Sequence, residues 1–418
     1  MTIAREGGSA SMSPARCRIT AETINGPAIG LSVHGKIDLC RGLLSWLVVL
    51  CHAFQVATTI HPSAATSLTP SQYALLDHTV NAGFVWVMGF FVLSGYCIHQ
   101  AVARRLSAPT LSLKLYLAAR LSRILPLYYL ALGFAVIAEP WLTASDGLDV
   151  SGLVGQIFLV QNLTHQFGSF TPSWSLTNEV FYYLLYGVLA ATVGRHKGWP
   201  FWIGMGLCLL VGSVLQLAYL NEYRSPFVLK TGMLFGLGFN WFLGVGVAVY
   251  REEIRRSPIA LALARAWPLV LALGIAGYHQ GLPIQTAYLG GGLAFALLLI
   301  RIVAVPGREG GIIEPPWATR FVHFAGLSSY PTYLFHFTFM WLLAKAMIRW
   351  NLVASWVSMM GLLVASSLAF GAVLGWYAER PIMRWRAGFL ARLERPDTPG
   401  SPTSVASRAF ARPGKEAL

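Results

Sequence analysis

The sequence predicts an all-α protein, a polytopic membrane bundle of about ten transmembrane helices with the N-terminus and C-terminus cytoplasmic. Three observations lead there. Of 418 residues, 55% are hydrophobic and only 11% charged, against about 25% charged in an ordinary soluble domain. Apolar runs of bilayer-crossing length recur along the chain. The basic residues collect in alternate loops, the asymmetry that sets orientation in a membrane.

Spans are predicted at 38–59, 81–103, 121–142, 174–193, 200–220, 227–250, 267–280, 283–305, 327–349 and 353–378. The seventh is short, and orientation supports keeping it. With the N-terminus inside, 26 of the 31 Lys and Arg face the cytoplasm, two (Arg224 and Arg349) face the other side, and three (Arg41, Lys230, Lys345) lie within spans. Dropping the seventh span would turn the basic C-terminal segment outward. Residues 60–80 and 143–173 form the two long outer segments, and Leu153 to Val160 within the second is too short to cross and suits the interface. The glycines of GLGFNWFLGVGVAVY are expected to let helices approach closely. The chain divides into a cytoplasmic tail (1–35), a transmembrane domain (36–390) and a Pro/Ser/Arg-rich disordered tail (391–418).

Composition excludes several functions. The net charge of +14 comes from short loops beside membrane spans, so it points to topology and an anionic lipid bilayer and gives no nucleic-acid partner. The five cysteines are odd in number and scattered through apolar runs, without disulfide or metal spacing. The histidines lack ligand spacing on one helix, so no metal is expected. There is no G-x-S-x-G hydrolase motif, P-loop or internal repeat. The match NLT at Asn162 is a glycosylation sequon by pattern only.

The informative residues are polar groups at membrane depth. In the first span, KIDLCRGLLSWLVVLCHAF, Arg41 and His52 are eleven positions apart. On a helix they return to within about 20° of one face, with roughly 16 Å of axis between them. Ionisable groups in a bilayer are costly and usually face a cavity, so this pair marks a site. The second span places Ser94 and Tyr96 near mid-depth, where hydroxyls also serve ordinary helix packing. Arg120 and Arg123 share a face at the start of the third span, as membrane anchors would also do. Glu179 sits about two turns into the fourth span, after Trp174, and is expected to approach from the outer side. His336 lies inside the ninth span, near Tyr330.

Together these segments resemble the acyltransferase 3 family of integral membrane acyltransferases. Its markers stand here as Arg41/His52, Phe90 to Tyr96, Arg120/Arg123/Pro126, Trp174 to Glu179, and Ser329/Tyr330/Tyr333/Leu334/His336, in family order within residues 36–390. KIDLCRG departs from the family's LDGLRG and Leu125-Pro126 from its Tyr-Pro, and neither change loses a charge. The resemblance implies transfer of an acyl group, commonly acetyl, from cytoplasmic acyl-CoA (acetyl-CoA) to a hydroxyl of a carbohydrate or glycolipid acceptor, in a bacterial cytoplasmic membrane. On that reading His52 is the catalytic base. Arg41, Arg120 and Arg123 hold the CoA phosphates, for which the planar guanidinium is suited. Glu179 either orients His52 or holds acceptor hydroxyls, and Ser94, Tyr96, Trp174, Tyr330 and His336 organise the site or bind substrate. A transporter or flippase is the rival class, since polar groups at the midplane also mark transport pathways. It leaves the Arg41/His52 register unexplained.

Overall fold

Each long apolar run folds as a helix, because a backbone in lipid must satisfy its own hydrogen bonds. The computed structural model describes residues 28–61, 67–106, 112–143, 148–194, 196, 198–221, 223–304, 312–313, 315–352 and 355–394. The two expected tails lie largely outside the described residues. The chain forms α1 (Val33–Ile60), α2 (Pro70–Val80), α3 (Gly83–Leu106), α4 (Leu113–Leu142), α5 (Val150–Ile157), a 3-10 turn (Gly168–Ser173) and α6 (Trp174–Val193). There follow α7 (Trp199–Asn221), α8 (Pro226–Val249), the short α9 (Arg251–Arg256) and α10 (Pro258–Leu263), α11 (Trp267–His279) and α12 (Ile284–Val303). The last elements are α13 (Pro316–Arg349), α14 (Trp356–Leu374), a π-helical turn (Gly375–Glu379) and α15 (Arg380–Leu393). One two-residue parallel pairing, β1 (Ala28–Ile29) with β2 (Ile312–Ile313), ties the start of α1 to the start of α13.

Among the described residues, eight helical runs are long and apolar enough to cross a membrane. The short seventh span is completed by α10, giving a run from Pro258 to His279. Two expected spans, in α6 and α13, are long enough but too polar to qualify by composition, and these helices carry Glu179 and His336. The outer segment 60–80 is not all loop. Pro70 at the first helical position, with a capping box between Thr69 and Gln72, starts α2 there. The apolar stretch after Asp149 becomes α5, with Val150, Val154 and Ile157 exposed while Gln156 is buried. Asn162 of the sequon is half-buried and donates to Asn178 Oδ1 at 2.6 Å. Tryptophans at helix ends, among them Trp141, Trp199, Trp317 and Trp350, are exposed, as aromatic residues at a membrane interface are.

Two close crossings fix the architecture. α1 and α13 run parallel, and a Cβ on Gly42 would lie 2.6 Å from Ala325 Cβ. α3 crosses α8 more tightly still, since a Cβ on Gly244 would run into the Val92 carbonyl oxygen. Small residues bring helix backbones this near. Around the second crossing lies a core rich in tyrosine and tryptophan, in which Trp241, Tyr128, Tyr182 and Tyr186 are fully buried. Their polar ends are satisfied: Tyr182 donates to the Leu234 carbonyl at 2.7 Å and Tyr128 to the Gln156 carbonyl at 2.8 Å.

Candidate active site

The α1–α13 crossing sets the geometry of the first feature. From Gly42 and Ala325, the two parallel helices run on for ten and eleven residues to His52 and His336. The histidines therefore meet: His52 Nδ1 is 2.7 Å from His336 Nε2, with the ring centroids 5.0 Å apart and the planes 22° from parallel, so the rings lie end to end along the hydrogen bond. The network assigns the protons. His336 Nδ1 lies 3.0 Å from the Thr332 carbonyl and 2.8 Å from that of Tyr333. Carbonyls only accept, so Nδ1 carries the hydrogen and a neutral His336 accepts at Nε2. His52 must then donate from Nδ1, which leaves its Nε2 with the lone pair. His336 is 1% exposed, whereas His52 opens onto a cavity of about 310 Å³ with Gln55, Asn81, Trp174, Tyr278 and Tyr333.

A second cavity, of about 290 Å³, lies at the other half of α1. It gathers Arg41 from α1, Ser94 from α3, Arg120 and Arg123 from α4, Glu179 and Tyr183 from α6, Ser329 and Tyr330 from α13, and Arg386 from α15. The arginines are held from behind. Arg123 pairs with Glu379, which is 1% exposed, and its guanidinium lies over the Tyr330 ring at 5.3 Å. Arg386 donates to the Ala119 carbonyl at 2.8 Å, and Arg41 lies 3.4 Å from Asp38. The Nε atoms of Arg120 and Arg386 are buried without a partner. Four guanidiniums against the three carboxylates Glu179, Glu379 and Asp38 leave positive charge in excess, in a pocket partly withdrawn from water, where fields are strong.

Val87 and Tyr333 line both cavities. They form the wall between the arginines and His52. Tyr333 is pinned there: its hydroxyl donates to the Pro172 carbonyl at 2.7 Å and meets Ser175 Oγ at 2.7 Å.

Of the residues singled out in the sequence, Arg41, Arg120, Arg123, Ser94, Glu179 and Tyr330 come together in one cavity, and His52 and Trp174 in the other. Tyr96 lines neither and packs in the core between α1, α3 and α12. Glu179, expected on the face opposite Arg41, lies in the same cavity as Arg41. Its carboxylate accepts from Ser94 Oγ at 2.7 Å and from the Tyr183 hydroxyl, and the group hydrogen-bonded to His52 is His336. The reason lies in α6, whose first residues are already buried inside the bundle after the 3-10 turn Gly168–Ser173. Trp174 thus stands on the histidine side and Ser175 to Glu179 pass beyond the wall.

Sequence reasoning missed Arg386, Glu379 and Tyr183. Glu379 had a signal, a carboxylate near an apolar span, the same argument that selected Glu179. The fold also gathers Asp77, His78 and His279 from two helices, donor types that spacing along one helix does not reveal.

Residues 34–378 match the family described as an acyltransferase domain. The exopolysaccharide production protein ExoZ of Rhizobium meliloti (strain 1021) is 27% identical over 323 residues, covering 73% of this chain and 92% of that protein. No solved structure matches. The matched region takes in all of the histidine cavity's lining and the arginine cavity's lining up to Tyr333, and stops short of Glu379 and of Arg386, which also lines the arginine cavity. With its bundle of apolar helices and a family match over most of its length, this chain is an integral membrane protein and belongs to the acyltransferase 3 family.

Proposed function

We propose that this membrane acyltransferase is an O-acyltransferase that moves an acyl group, acetyl in the simplest case, from cytoplasmic acyl-CoA to a hydroxyl of a polysaccharide or glycolipid in a bacterial cytoplasmic membrane. The observation that carries the reading is the pair of cavities meeting at Val87 and Tyr333, with arginines on one side and an oriented imidazole on the other. An acyl-CoA is anionic at its nucleotide end and has a thin pantetheine arm. Its phosphates rest among Arg41, Arg120, Arg123 and Arg386, because a guanidinium offers phosphate oxygens a planar fork of donors. The arm spans the roughly 16 Å of helix rise from Arg41 to His52. With α1 starting in the cytoplasm, the arginine cavity faces the donor pool.

His52 Nε2 is the proton acceptor. The acceptor hydroxyl gives its proton to Nε2 as its oxygen bonds to the thioester carbonyl carbon. The carbon–sulfur bond then breaks, and the imidazolium returns the proton to the departing thiolate. His336 keeps Nδ1 of His52 as the donor throughout, so that the lone pair stays on the reacting nitrogen. A polysaccharide acceptor is supported by the similarity to a protein named for exopolysaccharide production.

The test is purified protein with acetyl-CoA and cell-surface polysaccharide, following thiol release and the acyl mass gained by the glycan. Acceptor-dependent thiol release that disappears in His52→Ala is expected. Glycan movement across a membrane with no acyl-CoA consumed would sink the reading in favour of a transporter.

A further inference from the structure

We propose that Asp77, His78 and His279 form a binding site for a divalent transition-metal ion of the zinc class, bracing α2 against α11 at the mouth of the histidine cavity. Each residue offers one ligand atom, and the three atoms lie within 4.8 Å of one another. In a tetrahedral zinc site with bonds of about 2.0–2.2 Å the donors stand about 3.4 Å apart, so modest side-chain rotations close this set on an ion. The two imidazoles are neighbours, with centroids 3.9 Å apart and planes 28° from parallel, and a turn of one ring about its χ angles brings both in-plane lone pairs toward one ion. His279 Nε2 is out of contact with solvent and has no hydrogen-bond partner. A buried nitrogen in that state wants either a proton acceptor, a donor or a metal. Two imidazoles and one carboxylate suit zinc, copper or nickel far better than magnesium or calcium, which take oxygen ligands.

The surroundings have the form of a supported metal site. Asp77 Oδ1 accepts from Asn81 Nδ2 at 3.2 Å, a hydrogen bond that fixes the carboxylate's direction. Asn81 in turn accepts from Gln55 Nε2 at 2.5 Å. Gln55 is one turn beyond His52 on α1, and Gln55, Asn81 and Tyr278 all line the His52 cavity. An ion at Asp77, His78 and His279 therefore holds two walls of that cavity, Asn81 at the end of α2 and Tyr278 at the end of α11, in one arrangement. Three protein ligands leave a fourth position for water. The role is to brace the cavity, and it stands whether or not the acyl transfer proposed above is correct.

The experiment uses the full chain in detergent, stripped with chelator, dialysed against zinc alone and analysed for bound metal. Wild type is expected to retain about one zinc per chain, and His78→Ala and His279→Ala to bind at least tenfold more weakly. Asp77→Asn weakens binding less, and His279→Cys, which supplies a thiolate, restores it. The restoring variant separates a lost ligand from a misfolded protein. Magnesium in place of zinc should not be retained. Wild type that holds no zinc above the level of the His78→Ala/His279→Ala double variant overturns the proposal, as does equal zinc binding by His279→Ala and wild type.

Discussion

The two cavities on either side of Tyr333 are built in opposite ways. The arginine cavity is assembled from long side chains on α1, α4 and α15, each beside a carboxylate, a carbonyl or an aromatic face, that of Tyr116 for Arg120, with the Nε atoms of Arg120 and Arg386 left unpartnered. The histidine cavity owes the orientation of His52 to one contact between two parallel helices, held by the glycine crossing at Gly42. The first arrangement suits a multiply charged ligand, whose oxygens can be met by several adaptable forks. The second suits a single proton transfer, where one nitrogen must point one way. On the proposed function, binding and proton transfer fall to different cavities, and mutations should separate them.

The largest effect is expected at His52. Removing the proposed base in His52→Ala should lower turnover by about 10²–10⁴-fold while the protein still inserts and folds. Steady-state thiol release measures it, and near-normal turnover would remove His52 from the chemistry. Next comes His336→Phe, which keeps a ring but loses the acceptor for His52 Nδ1. Turnover should fall by about 10–100-fold with the KM for donor unchanged. The pH profile is the discriminating readout, because without His336 the proton on His52 is free to occupy either nitrogen.

Glu179→Gln sharpens the comparison from the other cavity. With the donor phosphates placed as proposed, its carboxylate opposes them, so removing one negative charge should tighten acetyl-CoA binding by about threefold. Weaker binding, measured by calorimetry, would mean that the carboxylate holds the arginines in place. The smallest effect belongs outside both cavities. Asp149 caps α5, and the Gly152 backbone N–H, with His165 beside it, holds its carboxyl below the usual carboxylate range. A depressed carboxylate contributes stability above its unfolded pKa of about 3.9, lost as pH falls through the lower native value. Asp149→Asn should therefore shift the melting temperature slightly at neutral pH, shift it not at all in strong acid, and leave turnover intact.

How much of this was legible in the sequence depended on whether a feature lies within one helix. Arg41 with His52, and Arg120 with Arg123, were readable because helical periodicity alone puts each pair on a common face. The helical class followed from hydropathy, and the short seventh span was completed by α10, which Ser257 caps and Pro258 begins. The contact of His52 with His336 was not readable, since it depends on the register of two helices 284 residues apart in sequence. The place of Glu179 beside Arg41 was not readable either, since position within a span gives no depth where α6 starts inside the bundle. Arg386 follows a π-helical turn that carries Glu379 into the core beside Arg123, an irregularity without a simple hydropathy signature.

The central claim is that donor binding belongs to the arginine cavity and proton transfer to the histidine cavity. Equilibrium binding of acetyl-CoA to purified wild type, His52→Ala and Arg120→Lys/Arg123→Lys tests it most directly. The account predicts that His52→Ala binds the donor as wild type does but fails to transfer, and that the double lysine variant, lacking the planar fork, binds at least about tenfold more weakly. Loss of donor binding in a folded His52→Ala protein, together with unchanged binding in the lysine variant, would contradict it.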